Sequence, residues 1–196
     1  MFKRIDTFTR ISKRHLVGLA LLGSITLTGS LFAADTVAGD SVQSHAGHGG
    51  VAPAKLVEVV RNATRQFIDV NAATGAKYMP AFGCVSGPDH GAMGVHYING
   101  DLVGDGEVDA TRPEALIYEP AGDRMRLVGV EFIVDAATWM AHHSSPPMLE
   151  GQAFQLVNTP NRYGLPAFFE LHVWAWRDNP NGAFVDWNTR VTCEGQ

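Results

Sequence analysis

Basic side chains are scarce over most of this 196-residue chain. Five of its fifteen Lys and Arg and one of its twenty Asp and Glu fall before residue 34, leaving ten against nineteen beyond it and a net charge of about −9 with histidine neutral. A surface of that sign repels phosphate backbones, which argues against nucleic acid as a partner, and it disfavours anionic membrane surfaces. The familiar catalytic signatures are missing as well. There is no GxSxG elbow, no P-loop and no GxGxxG turn behind a strand. Ser86 has no activating base within its local sequence, so hydrolase and nucleotide-binding chemistries find no support.

Long apolar runs are also absent, with one exception. Leu16–Phe32 (LVGLALLGSITLTGSLF) follows Lys3, Arg4, Arg10, Lys13 and Arg14 and ends at Ala33-Ala34. A basic region, a short apolar stretch diluted by glycine and a small-residue cleavage site read as a cleaved export signal over residues 1–33, with an uncleaved anchor as the alternative. Ser12-Lys13-Arg14-His15 reads either as a Lys-Arg variant of the twin-arginine motif or as the basic pair common in any such leader, which leaves the export route open. The expected location is periplasmic or secreted, and after cleavage no remaining run is apolar enough for stable membrane insertion.

Cysteine is nearly absent. The pair Cys84 and Cys193 is read as one disulfide in an oxidising compartment, with free thiols or metal ligation as the alternatives. Closing a loop of that length contributes about 4–5 kcal/mol in the chain-entropy account. Neither cysteine lies at the cleavage site, so no lipid anchor is expected there.

Residues 34–52 are mostly Gly, Ala, Ser and Val without an apolar period and read as a flexible linker, in which His45 and His48 are incidental. A single domain is expected over 53–196. Leu56, Val59, Val60, Ala63, Phe67 and Val70 follow helical spacing, which predicts one long helix from Pro53 to Ala73. From Cys84 onward the texture is extended. Strands are predicted at 93–98, 115–119, 126–134, 152–157 and 167–176, with a short helix at 135–143. The resulting fold class is α+β: a curved, mainly antiparallel sheet packed by one long N-terminal helix and a short inserted helix.

Strand alternation supplies the candidate site. Over 126–134, Val128, Val130, Phe132 and Val134 share one face, while Leu127, Gly129, Glu131 and Ile133 share the other. Over 167–176, Phe168, Glu170, His172, Trp174 and Trp176 face together. A carboxylate in an apolar row requires a partner, a hydrogen bond or a metal. If the strands aim these faces inward, His96, Glu131 and His172 converge between the aromatic walls Phe168 and Trp174. Two histidines and a carboxylate form a set suited to one divalent ion, Fe, Zn or Mn, with His90 as a further ligand candidate and Glu170 as general base. The competing reading makes these ordinary buried polar groups, with Glu131 paired to Arg126 or Arg177. Asp101, Asp105, Glu107 and Asp109 form an acidic loop whose spacing does not match an EF-hand. His142 and His143 read as surface residues.

Two blocks, CVSGPDHGAMGVHYINGDLVGDGEVD (84–109) and YGLPAFFELHVWAWRDNPNGAFVDWNTRVTC (163–193), resemble a group of uncharacterised exported bacterial proteins. The resemblance implies export and assigns no activity, so no residue takes a role from it. Three readings follow: a protein that binds a small molecule or metal ion around His96, Glu131 and His172; a metal-dependent enzyme on the same residues; and a non-catalytic envelope interaction domain with Trp174, Trp176 and Trp187 as exposed anchors.

Overall fold

Extended segments recur between residues 79 and 173, and they pair into a sheet. The structure, a computed structural model, is described for residues 52–87 and 89–194. The expected export signal and all of the expected linker but Ala52 lie outside them. Strands β1 (Met79–Gly87), β2 (Gly91–Ile98), β3 (Ala115–Ala121), β4 (Arg124–Asp135), β7 (Gln155–Val157) and β8 (Phe168–Val173) form one antiparallel sheet in the order β1-β2-β3-β4-β8-β7. The short β5 (Met148–Leu149) and β6 (Gln152–Ala153) make a separate hairpin.

The predicted 53–73 helix breaks into pieces: α1 (Ala52–Thr64), a 3-10 turn (Arg65–Ile68) and α2 (Val70–Gly75). Thr64 Oγ1 donates back to the Val60 carbonyl at 2.7 Å, a bond that loosens the last helical turn. Asp69 then leaves helical geometry (φ −85°, ψ 113°), and its carboxylate accepts from Asn71 N–H to start α2. Apolar spacing carries no trace of that interruption. The α+β expectation is therefore corrected. The protein is mostly sheet, a curled antiparallel half-barrel of six strands with small helices, and its one long helical stretch lies inside the chain rather than at the N-terminus. The other helices are α3 (Gly100–Val103) and α4 (Ala136–His142), the latter capped by Asp135, whose carboxylate accepts from Thr138 N–H at 2.7 Å.

Each sheet face has its own cover. Leu116, Tyr118, Val130, Phe132, Leu171 and Val173 form the main core with Leu56 and Val60 of α1 and Phe67. On the opposite face Ala92, Ile117, Val128 and Trp174 pack with Val191 of the C-terminal segment. That segment is tied down by paired backbone bonds between Asn188 and Ala92, by Thr192 N–H donating to Glu119 at 3.1 Å, and by the disulfide Cys84–Cys193, 109 residues apart. A register shift between Ile117 and Tyr118 leaves Val128 unpaired on β4. The bulge moves Leu127 to the helix-covered core and Val128 to the other face, reversing the alternation expected for those two residues.

Candidate functional site

Register brings the candidate residues together. Glu131 lies opposite His172 across β4 and β8, and Ile133 lies opposite Glu170. On the other side Glu131 faces Ala115, which itself faces Ile98 of β2, two residues from His96. Directly opposed residues point to the same face, so His96, Glu131, Glu170 and His172 share one. Two glycines make the close packing possible. A Cβ on Gly94 (φ +105°) would sit 2.6 Å from the Tyr118 carbonyl oxygen, and one on Gly129 would sit 2.9 Å from that of Val173.

His96, Glu131 and His172 form a buried group whose ligand atoms all lie within 4.8 Å of one another, an arrangement that can hold a metal ion. His96 Nε2 stands 3.3 Å from Glu131 Oε2, about the spacing of two tetrahedral ligands at about 2.0–2.1 Å from an ion. A second group, Glu170, His172 and Asp186, shares His172. His172 Nδ1 lies 3.7 Å from Asp186 Oδ1. Gln155 links this second group, its Nε2 donating to Glu170 at 2.8 Å and also to Asp186.

Charge is held out of this cluster. Burial, then the nearby His172 ring, pushes His96 down to about 3, and burial alone pushes His172 down to about 3. Burial raises Glu131 well above the usual carboxylate range, reinforced by Glu170 and Asp186; burial also raises Glu170 and Asp186. Burial thus works against an ion pair at the short His96–Glu131 contact, since it lowers the imidazole and raises the carboxyl group. His96 Nδ1 and both nitrogens of His172 are buried without a hydrogen-bond partner. Such orphaned groups cost about 1–3 kcal/mol each; a divalent cation here would satisfy one nitrogen of His172 and favour the ionised carboxyl groups.

The other expected residues are distributed as follows. Phe168 lines a cavity against His96 and Glu131, together with Tyr163 and Ile133. Trp174 is 3% exposed and packs at 6.3 Å against the His172 ring, its indole N–H donating to the Val185 carbonyl; it supports the site from within the core. Trp176 and Trp187 are half-buried, so the three tryptophans present no exposed patch. His90 belongs to neither donor group; it lines an outer hollow with Asp186 and Trp187, its ring 6.5 Å from that of Trp187. The arginine pairing expected of Glu131 is not there: Arg126 pairs with Glu119 at 3.2 Å, and Arg177 donates to the Arg190 carbonyl. In the acidic loop Asp101 pairs with Lys77, while Asp105 and Asp109 accept local backbone N–H groups.

Sequence reasoning missed Gln155, Asp186 and Tyr163. Gln155 sits opposite Glu170 on β7, and alternation over 152–157 would have pointed to it. Asp186 and Tyr163 stand in irregular segments, where no period reports direction. The Tyr163 ring lies between Phe82 and Phe168, and burial followed by Glu131 and Glu170 raises its hydroxyl to about 12. Among the described residues no helix is long and apolar enough to cross a membrane. Comparison with protein-family models, curated proteins and solved structures finds no match to this chain, so the reading of the site rests on its own geometry.

Proposed function

We propose that this is an exported metal-binding protein in which His96, Glu131 and His172 hold one divalent ion of the Fe, Zn or Mn class beside a small-molecule pocket. One observation carries the reading: ligand atoms of two buried histidines and a buried carboxyl group converge within 4.8 Å of one another, and neither nitrogen of His172 has a hydrogen-bond partner. Two histidines and one carboxylate are a neutral-nitrogen and hard-oxygen set that suits these ions and leaves coordination positions open. When bound, the ion would act as a Lewis acid toward an oxygen-bearing ligand. Asp186, its Oδ1 3.7 Å from His172 Nδ1, and Glu170, beside Glu131, stand against the ligand set and would help to orient it around an ion. Export rests on residues 1–33, and the Cys84–Cys193 disulfide supports an oxidising destination. An enzymatic version would use Glu170 as general base beside the ion, its carboxyl group raised by burial and held by Gln155.

The test is elemental analysis by mass spectrometry of protein made with its own leader and recovered from the periplasm. Near-stoichiometric metal is expected, lost in His172→Ala and in Glu131→Gln with the circular dichroism spectrum unchanged. Wild-type protein without metal after incubation with Fe, Zn and Mn would end the reading, as would full occupancy in both variants.

A further inference from the structure

An apolar groove leads to the His96–Glu131 side of the site. Its inner end leaves about 30 Å³ for the centre of a water-sized atom and is walled by Phe82, Ile98, Ile133, Tyr163, Leu165 and Phe168, with His96 and Glu131 as its polar side. Phe82, Ile98, Ile133 and Leu165 also line an outer hollow of about 470 Å³, continued by Met79 and Val103. The inner space takes one oxygen-sized group, while the outer volume falls in the range of small-molecule sites.

The entrance is built at a conformational cost. Pairing of β1 with β2 passes from Ala81↔His96 to Cys84↔Val95, so Phe82 and Gly83 stand out of the ladder. Phe82 has φ +62°, a left-handed geometry unfavourable for a bulky side chain, and the next residue, Gly83, has φ +64°. The bulge holds the Phe82 ring 5.2 Å from the Tyr163 ring at the rim. Phe82 is 52% exposed there, beside Met79 at 58% and Leu165 at 40%. Three large apolar side chains are thus held toward water around one opening. The outer hollow is lined by no ionisable side chain, so a charged group held there would lose hydration without gaining a partner.

We propose that this groove binds a small neutral apolar molecule, aromatic or branched aliphatic, whose single hydroxyl or carbonyl oxygen enters the inner space beside His96 and Glu131. The assignment deepens the metal-site reading and rests on it for the role of that oxygen, whereas the apolar grip depends only on the groove.

The probe is 1-naphthol, titrated calorimetrically into the full exported protein, with naphthalene-1-sulfonate as the charged counterpart. One-to-one binding of naphthol is expected, about tenfold or more tighter than the sulfonate. Leu165→Asp, at an exposed position that tolerates the change, should weaken naphthol about tenfold, and Phe82→Gly severalfold while relieving the left-handed backbone. Absence of saturable binding, equal affinity for the sulfonate, or naphthol affinity untouched by Leu165→Asp would each overturn the proposal. So would a dimer that Leu165→Asp converts to monomer without affecting naphthol, since the groove would then be an interface between copies. Zinc content is measured on the same samples. Zinc without naphthol binding sinks this inference alone, and naphthol without zinc sinks the metal reading alone.

Discussion

Replacing Glu114 by Gln should stabilise the protein, and by an amount that grows with pH. Glu114 is 2% exposed and its Oε2 accepts from Ile133 N–H at 2.9 Å, on the strand that carries Glu131. Burial raises it to about 8 from an ordinary 4.5, against the weaker opposing pull of that hydrogen bond. Between those two values the native state keeps a proton that the unfolded chain releases, so stability falls as pH rises through the window. The cost is about 1.4 kcal/mol per pH unit, or about 3 kcal/mol at pH 7. A glutamine is nearly the same size, and its carbonyl can still accept from Ile133 N–H. Urea denaturation of Glu114→Gln and wild type at pH 5, 6 and 7 should therefore give curves that diverge with pH, the variant gaining about 2–3 kcal/mol at the top of the range. Stabilities that differ by the same amount at all three pH values, or a variant less stable at pH 7, would refute the reasoning.

Four other outcomes are expected. Zinc affinity should rise with pH because burial favours the protonated Glu131 that must give up its proton to bind, about tenfold per unit for one proton displaced; a wild-type affinity independent of pH in a chelator competition would contradict this. His96 and His172, held down to about 3, should remain neutral to about pH 4 in histidine NMR spectra of metal-free protein; because the unfolded chain protonates first, their contribution to stability is present above 6.5 and lost as pH falls toward 3, and a midpoint near 6.5 at either ring would contradict the burial. Cys84→Ser with Cys193→Ser should lower stability by about 4–5 kcal/mol by releasing a long loop, read as a lower thermal midpoint than oxidised wild type and one that matches reduced wild type. Gly129→Ala should cost about 1–3 kcal/mol in chemical denaturation, since its Cβ would meet the Val173 carbonyl oxygen at 2.9 Å; an unchanged midpoint would show that β8 yields there.

Alternation along single strands is enough to put Glu131, Glu170 and His172 on one face and Val130, Phe132 and Leu171 on the other, because side-chain direction in a strand is a local property with a period of two. The cysteine pair is legible for a similar reason: two thiols in a chain whose leader reads as an export signal have few alternatives. Alternation fails at Leu127 and Val128, which exchange faces because Ile117 and Tyr118, adjacent on β3, pair with residues two apart on β4. Nothing in the local sequence announces that bulge. The helix over 53–73 divides because Asp69 caps a new turn, a choice made by hydrogen bonding rather than by apolar spacing. Gln155 and Asp186 join the site only through pairing with Glu170 and through the return of the C-terminal segment, contacts between residues far apart in the chain. Residue types, the strand faces away from the bulge and the cysteine pairing were therefore legible in the sequence itself. Which faces closed on one another, which imidazole nitrogens lost water without gaining a partner, and where an apolar groove met them were decided by tertiary structure, because burial is a property of the assembled sheet and its covering segments and not of any one strand.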